Sequence, residues 1–299
     1  MTVPPHILQA LSDAGLEPAD VIATVRAALA EDLAYGADVT TEAIFPKTST
    51  MSARMVAREA GCLAGVPVAA AVPYLMAELI DAAEPSVQIE RGDGQRVQPG
   101  DVIITLNATA RVVLTAERTM LNLASQLSGV ASAVAAYVDA IAEVPGAKAK
   151  VRDTRKTIPG LRVLQKYAVR CGGGKNHRMG LGDAALIKDN HIAAVGSLER
   201  AVQSVRDYAP DIPLEVECDT LDQVREAVEL GVNLLLLDNM SPETMTEAVH
   251  ITSPAGVKTE ASGGLTLDDA QAVAATGVDY ISVGALTHSA PILDLALDV

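Results

Sequence analysis

The residues of this chain best suited to chemistry stand at the ends of short strand-like runs. Leu186-Ile187-Lys188 ends in a lysine, Glu215-Val216-Glu217 in a carboxylate, and Leu237-Asp238-Asn239 in another. Two later runs end in Ser262-Gly263-Gly264 and Val283-Gly284. Each run reads as a β-strand, and in an α/β barrel the C-terminal strand ends surround the active site. One strand ending in Asp is an ordinary turn. Five successive ends that converge Lys, Glu, Asp, Ser-Gly-Gly and Gly describe a site. Ser262, Gly263, Gly264 and Gly284 suit a phosphate held on backbone amides, since glycine lets the main chain come close. Plain tight turns are the competing reading of those glycines. Glu217 and Asp238, on adjacent strands, can share Mg2+ or accept from the vicinal hydroxyls of a ribose. Pairing with neighbouring lysines is their other role, and the two roles are compatible.

A cationic island precedes these strands. Lys148 to Lys188 contains eleven Lys/Arg and two acids, a local +9 in a chain whose net charge is −15. It includes Arg152-Asp153-Thr154-Arg155-Lys156-Thr157 and Cys171-Gly172-Gly173-Gly174-Lys175-Asn176-His177-Arg178. Arginine forks match carboxylates and phosphates at two points, and lysine supplies a mobile point charge. The acidic total argues against a general nucleic-acid binder; an island of this kind focuses small, highly charged anions. A solvated basic face is the bland reading. No nucleophile–base pair stands out, which fits glycosyl transfer from an activated pyrophosphate, where charge stabilisation matters more than a covalent intermediate.

The elements that must position these groups follow a βα rhythm. Strands are expected at 184–188, 214–217, 233–237, 256–260 and 280–283, and from Leu214 onward their starts recur every 19 to 24 residues. Helix starts are marked by Ser197, Thr220, Ser241 and Thr266, each followed by acids or proline in the first turn. The short repeat, without GxGxxG or a Walker A motif, favours a barrel over a Rossmann fold. Before it, residues 114–144 read as one long helix closed by Pro145-Gly146. The first third reads as a small α+β domain. It has an amphipathic helix over 20–32 (apolar Val21, Ile22, Val25, Leu29) and strand-like runs at 87–89 and 102–106. Three cysteines without metal or redox spacing, no basic-then-apolar leader and no run of about 18 apolar residues point to a reduced, cytoplasmic setting without membrane contact.

These motifs together resemble quinolinate phosphoribosyltransferase (the carboxylating nicotinate-nucleotide pyrophosphorylase family) over nearly the whole length. The resemblance runs through Glu31-Asp32-Leu33, Asp38-Val39-Thr40, Arg58-Glu59, Glu117-Arg118-Thr119-Met120-Leu121-Asn122 and Leu127-Ser128-Gly129-Val130-Ala131. It continues in Asp153-Thr154-Arg155-Lys156-Thr157, in Lys166 to Gly180, and in Ile187–His191, Glu215–Glu217, Leu237–Met240, Ser262–Leu265 and Val283–Ser289. Tyr35, Ala37 and Gly182 depart from the usual pattern, none of them in the charged set.

The resemblance implies a type II phosphoribosyltransferase fold: an irregular α/β barrel over 116–288 preceded by an α+β open sandwich over 1–115, which the tail 289–299 completes. It implies a pentosyltransferase that moves phosphoribosyl from phosphoribosyl pyrophosphate to quinolinate with decarboxylation. The products would be nicotinate mononucleotide, pyrophosphate and CO2, for NAD synthesis. Arg118 (from the partner of a homodimer), Arg155, His177 and Arg178 would hold quinolinate, with Lys156 and Lys188 near both substrates. Glu217 and Asp238 would serve ribose hydroxyls and Mg2+, directly or through water, and Ser262, Gly263, Gly264 and Gly284 the 5-phosphate. A lyase or aldolase using Lys188 as a Schiff-base amine is the second reading. So many arginines do not suit it. A non-catalytic phosphate-binding module is the third, and the number of converging charged groups stands against it.

Overall fold

The computed structural model describes residues 3–299, which form two compact units. The first holds the chain up to Ala133, Val163–Gly172 and Ser289–Val299; the second holds Val134–Arg162 and Gly173–His288. The division falls inside a continuous helix, eighteen residues beyond the 115/116 boundary read from the sequence. A helix that crosses a boundary offers no turn signal to mark it.

In the first unit, α1 (Pro5–Asp13) and α2 (Pro18–Asp32) both open on proline, whose fixed φ and missing N–H suit a first turn. Val21, Val25 and Leu29 bury their side of α2, while Ile22 is only half-buried. Asp38 caps α3 (Val39–Ile44) by accepting from the Thr41 amide at 2.9 Å. Next come β1 (Thr50–Ala57), β2 (Gly61–Cys62) and α4 (Val66–Leu79), a helix buried nearly all round and therefore central. After β3 (Ser86–Ile89), β4 (Arg96–Val97) and β5 (Val102–Thr109), the 33-residue α5 covers Ala110–Ala142.

The antiparallel sheet is ordered with the tail strand Leu295–Asp298 first, then β1, β5 and β3. The tail strand pairs Ala57 with Leu295 and Arg54 with Asp298, so the end of the chain completes the sheet. Asp93 shows how the turn at 91–94 serves this unit. Its carboxylate accepts from the Gly65 and Val66 amides at the start of α4, and from the Tyr167 hydroxyl of α6 (Arg162–Cys171) at 2.5 Å. Burial pushes that carboxyl above its ordinary range, and the three donors offset part of the effect.

The α5 helix qualifies the membrane reading. By length and composition it could cross a bilayer, with a mean hydropathy of 1.2 over its best window. However, 61% of that window is buried inside the protein, as in a core helix.

The second unit carries six parallel strands: β6 (Lys150–Arg152), β7 (Ala185–Ile187), β8 (Leu214–Cys218), β9 (Leu234–Asp238), β10 (Lys258–Ser262) and β11 (Tyr280–Ser282). Their order, β6-β11-β10-β9-β8-β7, is the cyclic order of a barrel cut between its first two strands. Lys175 makes a parallel bridge to Arg152 on the β6 side of that seam. The barrel is irregular there because β6 and β7 do not pair, and the chain between them runs through loop and α6.

The helices are α7 (Asp189–Val195), α8 (Leu198–Tyr208), α9 (Leu221–Glu229), α10 (Pro242–Thr252), α11 (Ala270–Ala275) and α12 (Ala285–His288). Ser197, Thr220 and Ser241 each accept from an amide three residues on, contributing roughly 1 kcal/mol apiece. Thr266 differs. Its reciprocal bonds with Asp269 close a 3-10 turn, and α11 begins only after it.

Candidate active site

The rim of the second unit brings most of the predicted residues to the C-terminal strand ends. Lys188 follows β7, and its Nζ forms an ion pair with Glu217, the buried penultimate residue of β8. Asp238 closes β9 in register with Ser262, which closes β10. Gly263 adopts φ +106, a conformation open to glycine, and a β-carbon there would run into Asn239. Lys156 lies beside Gly284 and extends over its Cα. The Lys156 carbonyl accepts from the Thr287 hydroxyl at 2.6 Å, which ties the 155–157 loop to the segment after β11.

Below the rim is a buried polar cluster that sequence reasoning found only in part. Side chains alternate along a strand, so Glu215 and Glu217 share a face of β8, as Glu260 and Ser262 share one of β10. Glu260 is fully buried and takes Arg152 and the Ser282 hydroxyl. Burial first, then the nearby charge of Glu215, pushes its carboxyl above the ordinary value. Asp153, also fully buried, accepts from the His177 amide at 2.8 Å and from Asn176 Nδ2 at 2.6 Å. His177 Nδ1 accepts from the Arg178 amide at 2.7 Å, so the ring proton sits on Nε2. Nε2 then donates to Glu215 at 2.9 Å, with Glu260 at 3.5 Å. His177, Glu215 and Glu260 converge closely enough to suggest a metal. Arg152 balances Glu260, while Glu215 Oε1 is buried without a hydrogen-bond partner; an ion there would displace the proton through which His177 meets Glu215.

His177 and Arg178 line a cavity of about 630 Å3, together with Arg152, Glu215, Lys258 and Tyr280. The first residues of β8, β9, β10 and β11 all line it, so it opens toward the N-terminal ends of the strands. Lys156, Lys188, Glu217, Asp238 and the glycines do not. The predicted residues of this unit thus fall into a rim group and an interior group. A larger hollow of about 1100 Å3 in the first unit contains none of them.

The cationic island is not one patch. Lys166 and Arg170 belong to the first unit, where Lys166 is fully buried and Arg170 bonds the Ala14 carbonyl. Arg152 is paired with Glu260, and Lys148 with Asp279 at 2.9 Å. Arg162 bonds Thr157 Oγ1 and the Met179 carbonyl, each at 3.1 Å, and the Arg155 carbonyl at 3.4 Å. It clasps the two loops that carry Arg155 and Arg178. Arg178 itself donates to the Ala184 carbonyl at 2.9 Å. Its guanidinium is held below its usual value by burial first and then by the positive charge of Arg155. The Arg155 Nε is buried without a hydrogen-bond partner. Glu215 and Asp183 offset part of that effect at Arg178, and two guanidinium groups that feel one another's charge suit an anion. Gly182 has open space around it, and Arg118 is exposed on α5, in the first unit.

Comparison with known proteins agrees in both units. Residues 38–128 match the family description "Quinolinate phosphoribosyl transferase, N-terminal domain", and residues 130–298 match its C-terminal domain. The chain is 52% identical to the nicotinate-nucleotide pyrophosphorylase [carboxylating] of Mycobacterium leprae, covering 92% of this chain and 96% of that protein. It is 43% identical to a probable enzyme of the same name from Bacillus subtilis, covering 90% of each. Among solved structures it is similar to NadC from Streptococcus pyogenes, with 40% identity, a TM-score of 0.88 and coverage of 95% and 97%.

Proposed function

The chain belongs to the quinolinate phosphoribosyltransferase family, and we propose that its chemistry is done at the strand-end rim of the second unit. It transfers phosphoribosyl from phosphoribosyl pyrophosphate to quinolinate, releasing pyrophosphate and CO2 and leaving nicotinate mononucleotide. The pyridine nitrogen bonds to the anomeric carbon as the bond to pyrophosphate breaks. The 2-carboxylate then leaves as CO2. The electron pair left at C2 is stabilised by the adjacent cationic nitrogen until a proton is taken up.

The observation that carries the site assignment is the convergence at the strand ends of Lys188 on Glu217, Asp238 in register with Ser262, and Lys156 beside Gly284. Arg155 and Arg178 offer two cations to a dianion, and quinolinate is one. His177, whose ring nitrogens are both engaged within the protein, fixes the backbone from which Arg178 projects. Lys156, beside Gly284, and Lys188, paired with Glu217, supply positive charge where pyrophosphate departs. Ser262, Gly263, Gly264 and Gly284 offer main chain to the 5-phosphate.

Glu217 and Asp238 fit Mg2+ as hard oxygen donors on neighbouring strands, and two protein carboxylates leave room for water and phosphate ligands. The Lys188 ammonium, already on Glu217, favours Asp238 as the nearer contact to the ion. When bound, Mg2+ would neutralise charge on the leaving pyrophosphate. The same proposal includes a homodimer in which Arg118 completes the partner's site, and a reducing, cytoplasmic setting. Exposure of Arg118 and three free thiols support these.

A panel of pyridine carboxylates, each with phosphoribosyl pyrophosphate and Mg2+, tests the reading by CO2 release. Quinolinate should be the substrate that yields stoichiometric CO2 and pyrophosphate. Release with no dependence on phosphoribosyl pyrophosphate would refute it.

A further inference from the structure

Asn239 joins two parts of the rim that sequence reasoning treats separately. It has φ +53, in the left-handed region that side chains other than Asn and Asp rarely enter. From there it makes three contacts. Its Nδ2 donates to Asp238 Oδ2 at 2.6 Å. Its backbone N–H donates to the Ser262 carbonyl at 3.0 Å. Its Oδ1 fills the space where a β-carbon on Gly263 would stand. A carboxylate only accepts, so the amide nitrogen must face Asp238, and the amide oxygen is thereby turned toward Gly263. One side chain thus fixes a carboxylate oxygen at the end of β9 and walls the glycine turn at the end of β10.

We infer that Asn239 is a positioning residue for phosphoribosyl pyrophosphate. By holding Asp238 Oδ2 it leaves Oδ1 directed to the ribose hydroxyls or their metal. By seating Gly263 it sets the distance from that carboxylate to the amides that receive the 5-phosphate. The donor substrate spans these two points, so a shift in either affects its affinity. Quinolinate, on Arg155 and Arg178, is indifferent to both. The inference rests on the proposed assignment of Asp238 and the glycine turn to the phosphoribosyl group.

The test compares Asn239→Gly, Asn239→Asp and, in parallel, Asp238→Asn, reading both KM values and the melting temperature. Asn239→Gly keeps the left-handed backbone and loses both side-chain contacts. Asn239→Asp keeps the shape and sets a second carboxylate against Asp238. Both should raise KM for phosphoribosyl pyrophosphate about tenfold, with KM for quinolinate within about twofold and the melting temperature within about 2 °C. A purely structural role would lower the melting temperature and disturb both substrates together, which overturns the inference. So does an unchanged KM for phosphoribosyl pyrophosphate in both Asn239 variants while Asp238→Asn raises it. If Asp238→Asn also leaves that KM unchanged, it is the assignment of Asp238 that falls, and the role of Asn239 with it.

Discussion

Lys156 runs across Gly284: a β-carbon on that glycine would stand 2.9 Å from the Lys156 Cδ and 3.7 Å from its Nζ. The atom in the way is the far part of a flexible side chain, so it can move at little cost to folding. Gly284→Ala should therefore displace the lysine without destabilising the protein. The expected result is a loss of about tenfold in kcat/KM for phosphoribosyl pyrophosphate, about 1.4 kcal/mol, with an unchanged melting temperature. Adding the substitution to Lys156→Ala should cost little more, because the displaced group is already gone. Additive losses in the double variant would show that Gly284 acts independently of Lys156.

Substrate choice follows from the guanidinium pair. Quinolinate carries two carboxylates and nicotinate one, so the monoacid leaves one cation less well matched. Losing one partner of a buried charge pair costs roughly 2–5 kcal/mol, and nicotinate should be poorer by about two to three orders of magnitude in kcat/KM. Comparable specificity constants for the two acids would contradict roles for Arg155 and Arg178 in carboxylate recognition.

Much of this site was legible because barrel strands announce their ends. Lys188, Asp238 and Gly284 each follow an apolar run at the point where the strand must stop, and Glu217 and Ser262 close mixed runs that turn signals bound. The interior cluster was harder to see for a physical reason. Glu215, Glu260 and Arg152 lie within short strands, and their partners are remote in sequence, 108 residues apart for Arg152 and Glu260. The only local sign is the period-two spacing of Glu215 with Glu217 and of Glu260 with Ser262. Strand β6 was missed because Lys150 and Arg152 flank a single apolar residue, Val151. The unit boundary was missed because α5 crosses it without a break. By contrast, the Ser197, Thr220 and Ser241 caps fell where the sequence put them, since capping needs only residues three apart.

The buried Glu260 predicts a pH signature. Its folded carboxyl lies above the ordinary 4.5, by burial and then by the charge of Glu215. A raised carboxyl binds its proton more tightly in the folded state. Its contribution is therefore fully present below about pH 4.5 and is lost as pH rises through the folded value. Glu260→Gln cannot titrate. The stability of wild type relative to the variant should be greatest at low pH and fall toward neutrality. Chemical denaturation at several pH values measures this, and a gap that grows with pH would show that the carboxyl is not raised.

Divalent metal dependence tests the two rim carboxylates. Activity should disappear in EDTA and return with Mg2+, since oxygen donors on adjacent strands suit a hard cation. Asp238→Asn should need more Mg2+ for half-maximal activity, while Glu217→Gln should also free Lys188 from its ion pair. Full turnover in EDTA would remove the metal from the proposal and leave both carboxylates to the ribose hydroxyls.

Arg118 tests architecture and chemistry together. It is exposed on α5 in the first unit, whereas Lys156 belongs to the second. If Arg118 completes the site of a partner subunit while Lys156 serves its own, Arg118→Ala and Lys156→Ala should each give a nearly inactive homodimer. Mixing the two under conditions that exchange subunits makes heterodimers in which one site collects both lesions and the other collects none. With equal amounts and random pairing, half the dimers are mixed and each holds one intact site. About a quarter of wild-type activity should then return, because a two-fold interface presents the same patch to each partner. If native mass spectrometry confirms exchange and activity stays at the level of the single variants, Arg118 acts within its own chain or supports structure alone.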